Sequence, residues 1–336
     1  MKFQTQAIGF FLCLIIFSSC ELNSRKRIPD VSQIPVNLEI QRLDKELFAL
    51  KDKPSVASFL KKYPVFAKDF LQIDQYPNDS IVVNFLFDFL QNEGSDTLYQ
   101  ETQEVFGDLE KLRASFSESF QRIKYYYPEF TPPIIQTAIT GFAGGDLFVS
   151  DSLIIIGLDY YLGKLATYRP QDVPNYILKR YSKEYIVPTA ILLLSVKYNQ
   201  TNYDDNSMMA DMIYYGKAHF FTKQILPETP DSLIIGYTSQ ELNDVGSNQD
   251  IIWSHFVEKR LLYETSHFEK QKYIDERPVT QEIGPKCPGR IGVWLGWEIV
   301  KKYMEVIDET TLPMLMDKDN AQEIFSQSKY KPERST

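Results

Sequence analysis

The chain has 336 residues, a formal net charge of −9 and a hydrophobic content of 43%. This length and composition are typical of a globular protein with a substantial core, built as one large domain or two small ones. The excess of acidic side chains excludes a broad electrostatic footprint for nucleic acid, so we expect no nucleic-acid partner.

Residues 1–19 predict a lipoprotein signal peptide. Lys2 supplies a basic start, and residues 8–17 form an apolar run that is shorter than the roughly 20 residues needed to span a bilayer. The run leads through two serines into Cys20, an arrangement that resembles the bacterial lipobox, although Phe17 stands where leucine is usual. We expect Cys20 to carry the lipid and to hold the chain on a membrane. An ordinary secretory signal with an incidental cysteine is the alternative.

Residues 20–34 are polar and contain proline, which is typical of a tether between a membrane and a domain. We expect a single domain over residues 35–325, followed by a flexible tail over residues 326–336. Once the signal peptide is removed and Cys20 is lipidated, Cys287 stands alone, so no intramolecular disulfide is predicted. No histidine is proposed as a base for Cys287, and we interpret it as structural.

The pattern within the domain predicts the α+β class, mostly helical with a small antiparallel sheet. Residues 36–40 alternate like a strand, and residues 42–53 place three leucines on one helical face. Helices continue over residues 55–125, and β-prone runs then fill residues 134–159, with "GFAGGD" interpreted as a hairpin turn. Further helices are predicted over residues 173–198, 206–226, 238–244, 249–264 and 289–305.

The residue types predict no catalytic, metal or cofactor site. Zinc hydrolases of the thermolysin kind need two histidines one helical turn apart, but His219, His255 and His267 are never four residues apart. "GFAGGD" lacks the Lys-Ser/Thr ending of a phosphate-binding loop, and no Gly-x-Ser-x-Gly motif is present. A site assembled from three dispersed histidines is the alternative that the spacing leaves open.

Four stretches in succession resemble the gliding-motility lipoprotein family GldB. They are "IPVNLEIQRLDKELF", "TGFAGGDLFVSDSLIIIGLDYYLG", "MADMIYYGKAHFFTKQILPETPDSLIIGYTSQEL" and "GPKCPGRIGVWLGWEIVKKYM". The resemblance covers most of the mature chain and implies a protein of the cell envelope that is required for gliding. It defines no biochemical activity.

The later stretches are similar, more remotely, to predicted zinc peptidases with a thermolysin-like fold. This resemblance implies a metallopeptidase-like (zincin-like) core without the HExxH motif, because residues 184–199, which take the place of the HExxH helix, contain no histidine. Tyr215 stands before Gly216 where those peptidases carry a glutamate ligand, so all three zinc ligands are missing. His219 lies beyond the ligand position, and we interpret it as a packed or hydrogen-bonded helical residue. A contact with a partner and a metal or catalytic role are the alternatives.

If the scaffold persists without its metal, its cleft becomes a groove for an extended polypeptide, recognised by strand addition. The predicted edge runs from Asp146 to Ser150 and includes Phe148, and the predicted lining is Tyr214, Tyr215 and His219. A core filled by the same aromatic side chains is the alternative. We therefore expect a non-enzymatic lipoprotein without cofactors, at the outer membrane and facing the periplasm, that binds other gliding or secretion proteins. A zinc-type peptidase with unusual ligands is the competing hypothesis.

Overall fold

The computed structural model describes residues 28–171 and 173–332. The predicted signal peptide and Cys20 lie outside this part of the chain. Among the described residues, no helix combines the length and the apolar character that crossing a membrane requires.

The first half of the domain is a short strand followed by five helices. The strand β1 is the predicted one, displaced to Ile40–Arg42, and the leucines of the next helix face the core as expected. Helix α2 begins at a capping box in which Asp52 and Ser55 bond to each other's backbone N–H groups. The helices are α1 (Leu43–Phe48), α2 (Lys53–Lys62), α3 (Ser80–Leu90), α4 (Glu93–Phe106) and α5 (Glu110–Tyr126), with a π-helical turn at Phe66–Phe70.

The sheet is mixed, so the prediction of an antiparallel sheet was wrong. Strands β2 (Ile134–Ala138), β3 (Leu147–Val149) and β4 (Leu153–Gly157) join β1 in the order β1-β2-β4-β3. Strands β1, β2 and β4 are parallel, and only β3 is antiparallel to its neighbour. The helical connection α1–α5 is a crossover that returns the chain beside β1 in the same direction, as parallel pairing requires.

The glycine-rich segment is not a hairpin turn either. It joins β2 to β3, which do not pair because β4 lies between them. The tight turn of the sheet is residues 150–152, which join the antiparallel pair β3 and β4. Three successive isoleucines of β4 are fully buried, as in strands that are covered on both faces.

The second half of the domain is helical, as predicted, and it continues beyond the expected boundary at residue 325. The last helix ends at Ser328, and the Tyr330 ring lies 5.4 Å from the ring of Trp253. The predicted flexible tail therefore begins inside a packed helix. The helices are α6 (Asn175–Leu178), α7 (Ile186–Leu194), α8 (Met208–Ile225), α9 (Asp231–Ile235), α10 (Ser239–Ser247), α11 (Gln249–Glu258), α12 (His267–Ile274), α13 (Ile291–Val306), α14 (Leu312–Asp317) and α15 (Ala321–Ser328).

Helices cover the sheet on both faces. Ile155 and Ala138 belong to an apolar cluster with α1, α2 and α3, which we call the N-terminal layer. Ile154 and Ile156 point to the opposite face and pack with α5, α7 and part of α8. A third cluster joins the remaining face of α8 to α13 and the C-terminal helices.

Helices α8 and α13 pack backbone against backbone. A Cβ atom on Gly296 would lie 1.9 Å from the carbonyl oxygen of Met212, and one on Gly216 would lie 2.4 Å from the carbonyl oxygen of Gly296. Both distances are far inside van der Waals contact, so only glycine fits at either position. Gly292, one turn earlier on α13, instead faces Ile274 and Tyr273 on α12.

Candidate polypeptide-binding site

A buried carboxylate fixes the loop that precedes the edge strand β3. Asp159 follows β4, and its Oδ2 accepts hydrogen bonds from the backbone N–H groups of Thr140 (3.1 Å) and Phe142 (3.0 Å). Gly141 and Phe142 both have positive φ, which turns successive N–H groups toward one side. Complete burial raises the pKa of Asp159 to about 6, against the opposing effect of those backbone hydrogen bonds. Asp159 therefore fixes the loop, although burying its ionised carboxylate costs free energy.

A tyrosine hydroxyl and a backbone hydrogen bond hold the loop from its other side. The Tyr160 hydroxyl lies 3.0 Å from the carbonyl oxygen of Phe142 and 2.7 Å from that of Gly144. The Gly145 N–H donates to the carbonyl of Phe70 in the N-terminal layer. A Cβ on Gly144 would meet the Phe70 ring at 2.5 Å, so this glycine allows the loop to lie against the layer.

The fixed loop forms one wall of an apolar pocket of about 320 Å³. Phe142 and its neighbours face α3 and the segment before it. Tyr76, Ile81 and Phe85 line the other side and remain 45%, 38% and 47% exposed. Large apolar side chains at the rim of a pocket are typical of surfaces that bind another molecule.

Strand β3 offers a free edge next to this loop. The hydrogen bonds Gly157 N–H to Asp146 O and Ser150 N–H to Leu153 O show that residues 146, 148 and 150 face β4. By the alternation of an antiparallel ladder, the backbone groups of Leu147 and Val149 point outward. Asp146 Oδ1 accepts from the Leu147 N–H at 2.9 Å, whereas the Val149 N–H, which points away from β4, has no loop or side-chain acceptor among the described residues. A second strand therefore finds an open donor at Val149.

The structure places the predicted groove residues in two different surroundings. Asp146 and Phe148 lie at the sheet edge, as predicted, and Phe148 is half-buried against the N-terminal layer. Tyr214 and Tyr215 lie on α8 with ring centroids 5.4 Å apart, and Tyr215 is 40% exposed. The apolar pocket beside the loop is lined by none of these four residues. A single groove that contains both pairs stays a prediction.

His219 lies in the interior, only 2% exposed, and presents no surface to a partner. Its Nδ1 lies 2.8 Å from the Tyr215 carbonyl oxygen, and its ring lies 5.6 Å from the ring of Trp297 on α13. Burial lowers the pKa of His219 to about 4, so the imidazole is neutral and Nδ1 carries the donated proton. This is the packed, hydrogen-bonded helical histidine that the sequence favoured.

The two other histidines and Cys287 also have environments that suit a structural role. Nε2 of His255 lies 3.0 Å from the Tyr273 hydroxyl, and His267 is the first residue of α12. Burial raises the pKa of the Cys287 thiol to about 12, which keeps it from acting as a thiolate nucleophile. Within residues 28–171 and 173–332, no group of three or more histidine, cysteine, aspartate or glutamate side chains has a metal-binding arrangement.

Lys217 ties α8 to the C-terminal segments, a role that the sequence did not reveal. Its buried Nζ donates to the backbone carbonyls of Gln200 (2.6 Å), Met316 (3.2 Å) and Lys318 (2.5 Å). Burial lowers the pKa of Lys217 to about 8, with nearby aspartates opposing that effect. All three protons of the ammonium group therefore have acceptors, and the lysine is engaged in the fold.

Comparisons with known proteins give one match. A family model described as gliding motility protein GldB, whose label denotes lipoproteins, matches residues 24–332. No curated protein and no solved structure matches the chain significantly. The family match thus spans the sheet, the candidate site and all the C-terminal helices.

Proposed function

Because the chain belongs to the gliding motility protein GldB family, we propose that it serves gliding as an envelope-anchored, protein-binding component that performs no catalysis. The proposed ligand is an extended polypeptide segment that adds to β3 and inserts an apolar side chain into the pocket beside the loop. Its source is another protein of the gliding or associated secretion machinery.

The observation that carries this proposal is the open edge of β3 at the end of a rigid loop. Strand addition needs outward N–H and C=O groups for the main chain and a nearby pocket for a side chain. Val149 supplies the first, and the pocket around Phe85 supplies the second. Asp159 and Tyr160 hold the connecting loop in place before any ligand arrives, which reduces the entropic cost of binding.

We propose further that β3, α7 and α8 are a metallopeptidase-like core that has lost its metal. An antiparallel edge strand beside parallel strands, with α7 packed on β3 and α8 packed on α7, supports this origin. Residues 184–199, which take the place of the HExxH helix in this resemblance, contain no histidine, and Tyr215 stands where the peptidases carry a glutamate ligand. Stoichiometric zinc in the purified protein, together with protease activity that a chelator abolishes, would favour the peptidase hypothesis.

Membership of a lipoprotein family supports a membrane-anchored location in the cell envelope. We propose that Cys20 carries the lipid and that the domain faces the periplasm from the outer membrane. Labelling cells with a radioactive fatty acid tests the anchor: label is expected in the native protein and absent from Cys20→Ala. A Cys20→Ala protein that stays in the outer-membrane fraction with its label would contradict it.

Site-specific photo-crosslinking tests the binding site in gliding cells. A benzophenone amino acid in place of Phe85 is expected to form an adduct with one envelope protein after irradiation. The matched control replaces Tyr263, which is 62% exposed on the C-terminal side of the domain, and is expected to give no such adduct. Equal adducts at both positions, or none at Phe85 in cells that glide normally, would contradict the assignment.

A further inference from the structure

A second concave surface lies between the α4–α5 turn, the start of α7 and the connection that follows α8. This cleft has a volume of about 910 Å³, nearly three times that of the pocket beside β3. It shares no lining residue with that pocket, so it is a separate surface. We call it the acidic cleft.

The floor of the acidic cleft is apolar. Leu109, Leu112 and Val187 are buried beneath it, and Leu226 and Leu233 are half-buried at its far side. Pro188, Pro227 and Pro230 also line the cleft, and proline provides apolar surface with a fixed backbone φ. A ligand therefore finds apolar surface at the bottom of the cleft.

The rim is acidic. Six carboxylates line the cleft against three basic side chains, Lys111, Lys183 and Arg122; the carboxylates are Glu104, Asp108, Glu110, Glu118, Glu184 and Glu228. Glu104, Glu184 and Glu228 are exposed, and none of the three forms an ion pair with a described residue. Their charges are therefore available to a cationic partner.

A buried arginine in the wall provides an independent sign of a ligand. Arg122 is 8% exposed, and its guanidinium pairs with Glu118 at 2.8 Å. Its Nε has no hydrogen-bond partner among the described residues. A buried N–H donor without an acceptor costs free energy, which a ligand carbonyl oxygen would recover once the guanidinium turns into the cleft.

We propose that the acidic cleft binds a polypeptide segment that is apolar on one face and rich in lysine or arginine on the other. The apolar face covers the leucines of the floor, the cationic side chains meet the carboxylates of the rim, and a main-chain carbonyl accepts from Arg122. Anionic lipids and nucleic acids are disfavoured because the rim repels them. The cleft gives the protein a second binding surface, beyond the one at β3.

Fluorescence anisotropy with a labelled amphipathic Lys/Leu peptide tests the proposal on the full-length chain. A Glu/Leu peptide of the same length is the control probe. The Lys/Leu peptide is expected to bind at least about tenfold more tightly, and to weaken as salt is added. Equal binding of the two peptides, or binding that salt does not affect, would overturn the proposal.

A charge-reversal variant locates the binding to the cleft. Glu104→Lys, Glu184→Lys and Glu228→Lys together are expected to weaken Lys/Leu peptide binding by roughly tenfold or more. The matched control reverses three exposed acids outside the cleft, Glu129, Asp204 and Glu258, and is expected to change binding less than about threefold. Both variants alter the net charge equally, so a similar loss in both would show non-specific attraction and overturn the assignment.

Two single substitutions provide further measurements of peptide binding. If the triple variant loses its thermal transition, Glu228→Lys alone replaces it, with about threefold weaker binding expected. Arg122→Lys keeps the positive charge and removes the Nε donor, so it is expected to weaken binding about fivefold without changing the salt dependence. Unchanged affinity in Glu228→Lys and in Arg122→Lys would contradict the proposed occupant.

Discussion

Helix α8 and helix α3 differ in how far their side chains are buried. Along α8 the side chains that could take part in chemistry are buried in the fold. Lys217 donates to three backbone carbonyls, His219 is buried beside Trp297, and Gly216 contacts α13. Along α3 one face is buried, but Ile81 and Phe85 remain exposed at the mouth of a pocket. Helix α8 is thus mainly a packing element. Helix α3, in contrast, contributes to the binding surface that we propose beside β3.

The largest expected effect comes from the contact between α8 and α13. Gly296→Val is expected to lower the free energy of unfolding by more than about 4 kcal/mol, because the Met212 carbonyl lies where the side chain must go. Gly246→Val on α10 is the matched control, with open space around it and an expected change under about 1 kcal/mol. Chemical denaturation measures both, and similar midpoints would contradict backbone-to-backbone packing.

The two faces of α3 provide the next contrast. Leu86→Ala removes a fully buried side chain and is expected to cost about 2–5 kcal/mol of unfolding free energy. Phe85→Ala, one residue earlier, is expected to cost less than about 1.5 kcal/mol while abolishing partner crosslinking from the neighbouring Ile81 position. Thermal unfolding measures stability. A Phe85→Ala variant as unstable as Leu86→Ala would make α3 an ordinary core helix.

Asp159 gives the candidate site a pH signature. Its pKa is about 6 in the folded protein, against an ordinary value of 3.8 for an aspartate. The folded state therefore binds the proton more tightly than the unfolded state, and stability falls as pH rises between these two values. Relative to Asp159→Asn, the native protein is expected to lose roughly 2–3 kcal/mol between pH 4 and pH 6.5. Urea denaturation at several pH values checks this. A constant difference between the two proteins would show that Asp159 does not titrate there.

The smallest stability effect is expected at Tyr215. Tyr215→Ala removes a side chain that is 40% exposed and should change the unfolding free energy by less than about 1 kcal/mol, whereas Phe148→Ala should cost more, since Phe148 packs against the N-terminal layer. Differential scanning calorimetry compares them. If Tyr215→Ala also loses partner crosslinking at unchanged melting temperature, the groove extends to α8; a large drop in melting temperature shows a core position.

Local patterns predicted the helices well because each depends on residues close in the chain. Leu43 and Leu47, four residues apart, mark α1 and are both buried against the core. The prediction of strand direction failed because β1 pairs with β2 across a long helical crossover. Nothing in residues 36–40 indicates which strand they pair with. The edge position of Asp146 to Ser150 was predicted only through the peptidase resemblance.

The pocket was missed because its walls come from distant parts of the sequence. Phe142 and Phe85 line the same pocket although α4 and α5 separate them in the sequence. One local signal existed: in "SIVVNFLFDFL" the polar residues Ser80, Asn84 and Asp88 form one narrow stripe, and the other residues of α3 are all apolar. So wide an apolar surface indicates either nearly complete burial or an exposed binding face. Sequence alone does not separate those two outcomes.

If the open backbone edge of β3 supports gliding, as we propose, closing that edge should stop cell movement. Val149→Pro removes the outward N–H while leaving the hydrogen bonds from residues 148 and 150 to β4, so the domain should fold with a loss of about 1–2 kcal/mol. Cell speed on a surface is the measurement, with membrane abundance of the variant as the control. Cells with Val149→Pro at native abundance are expected not to glide. Gliding at native speed in those cells would contradict it.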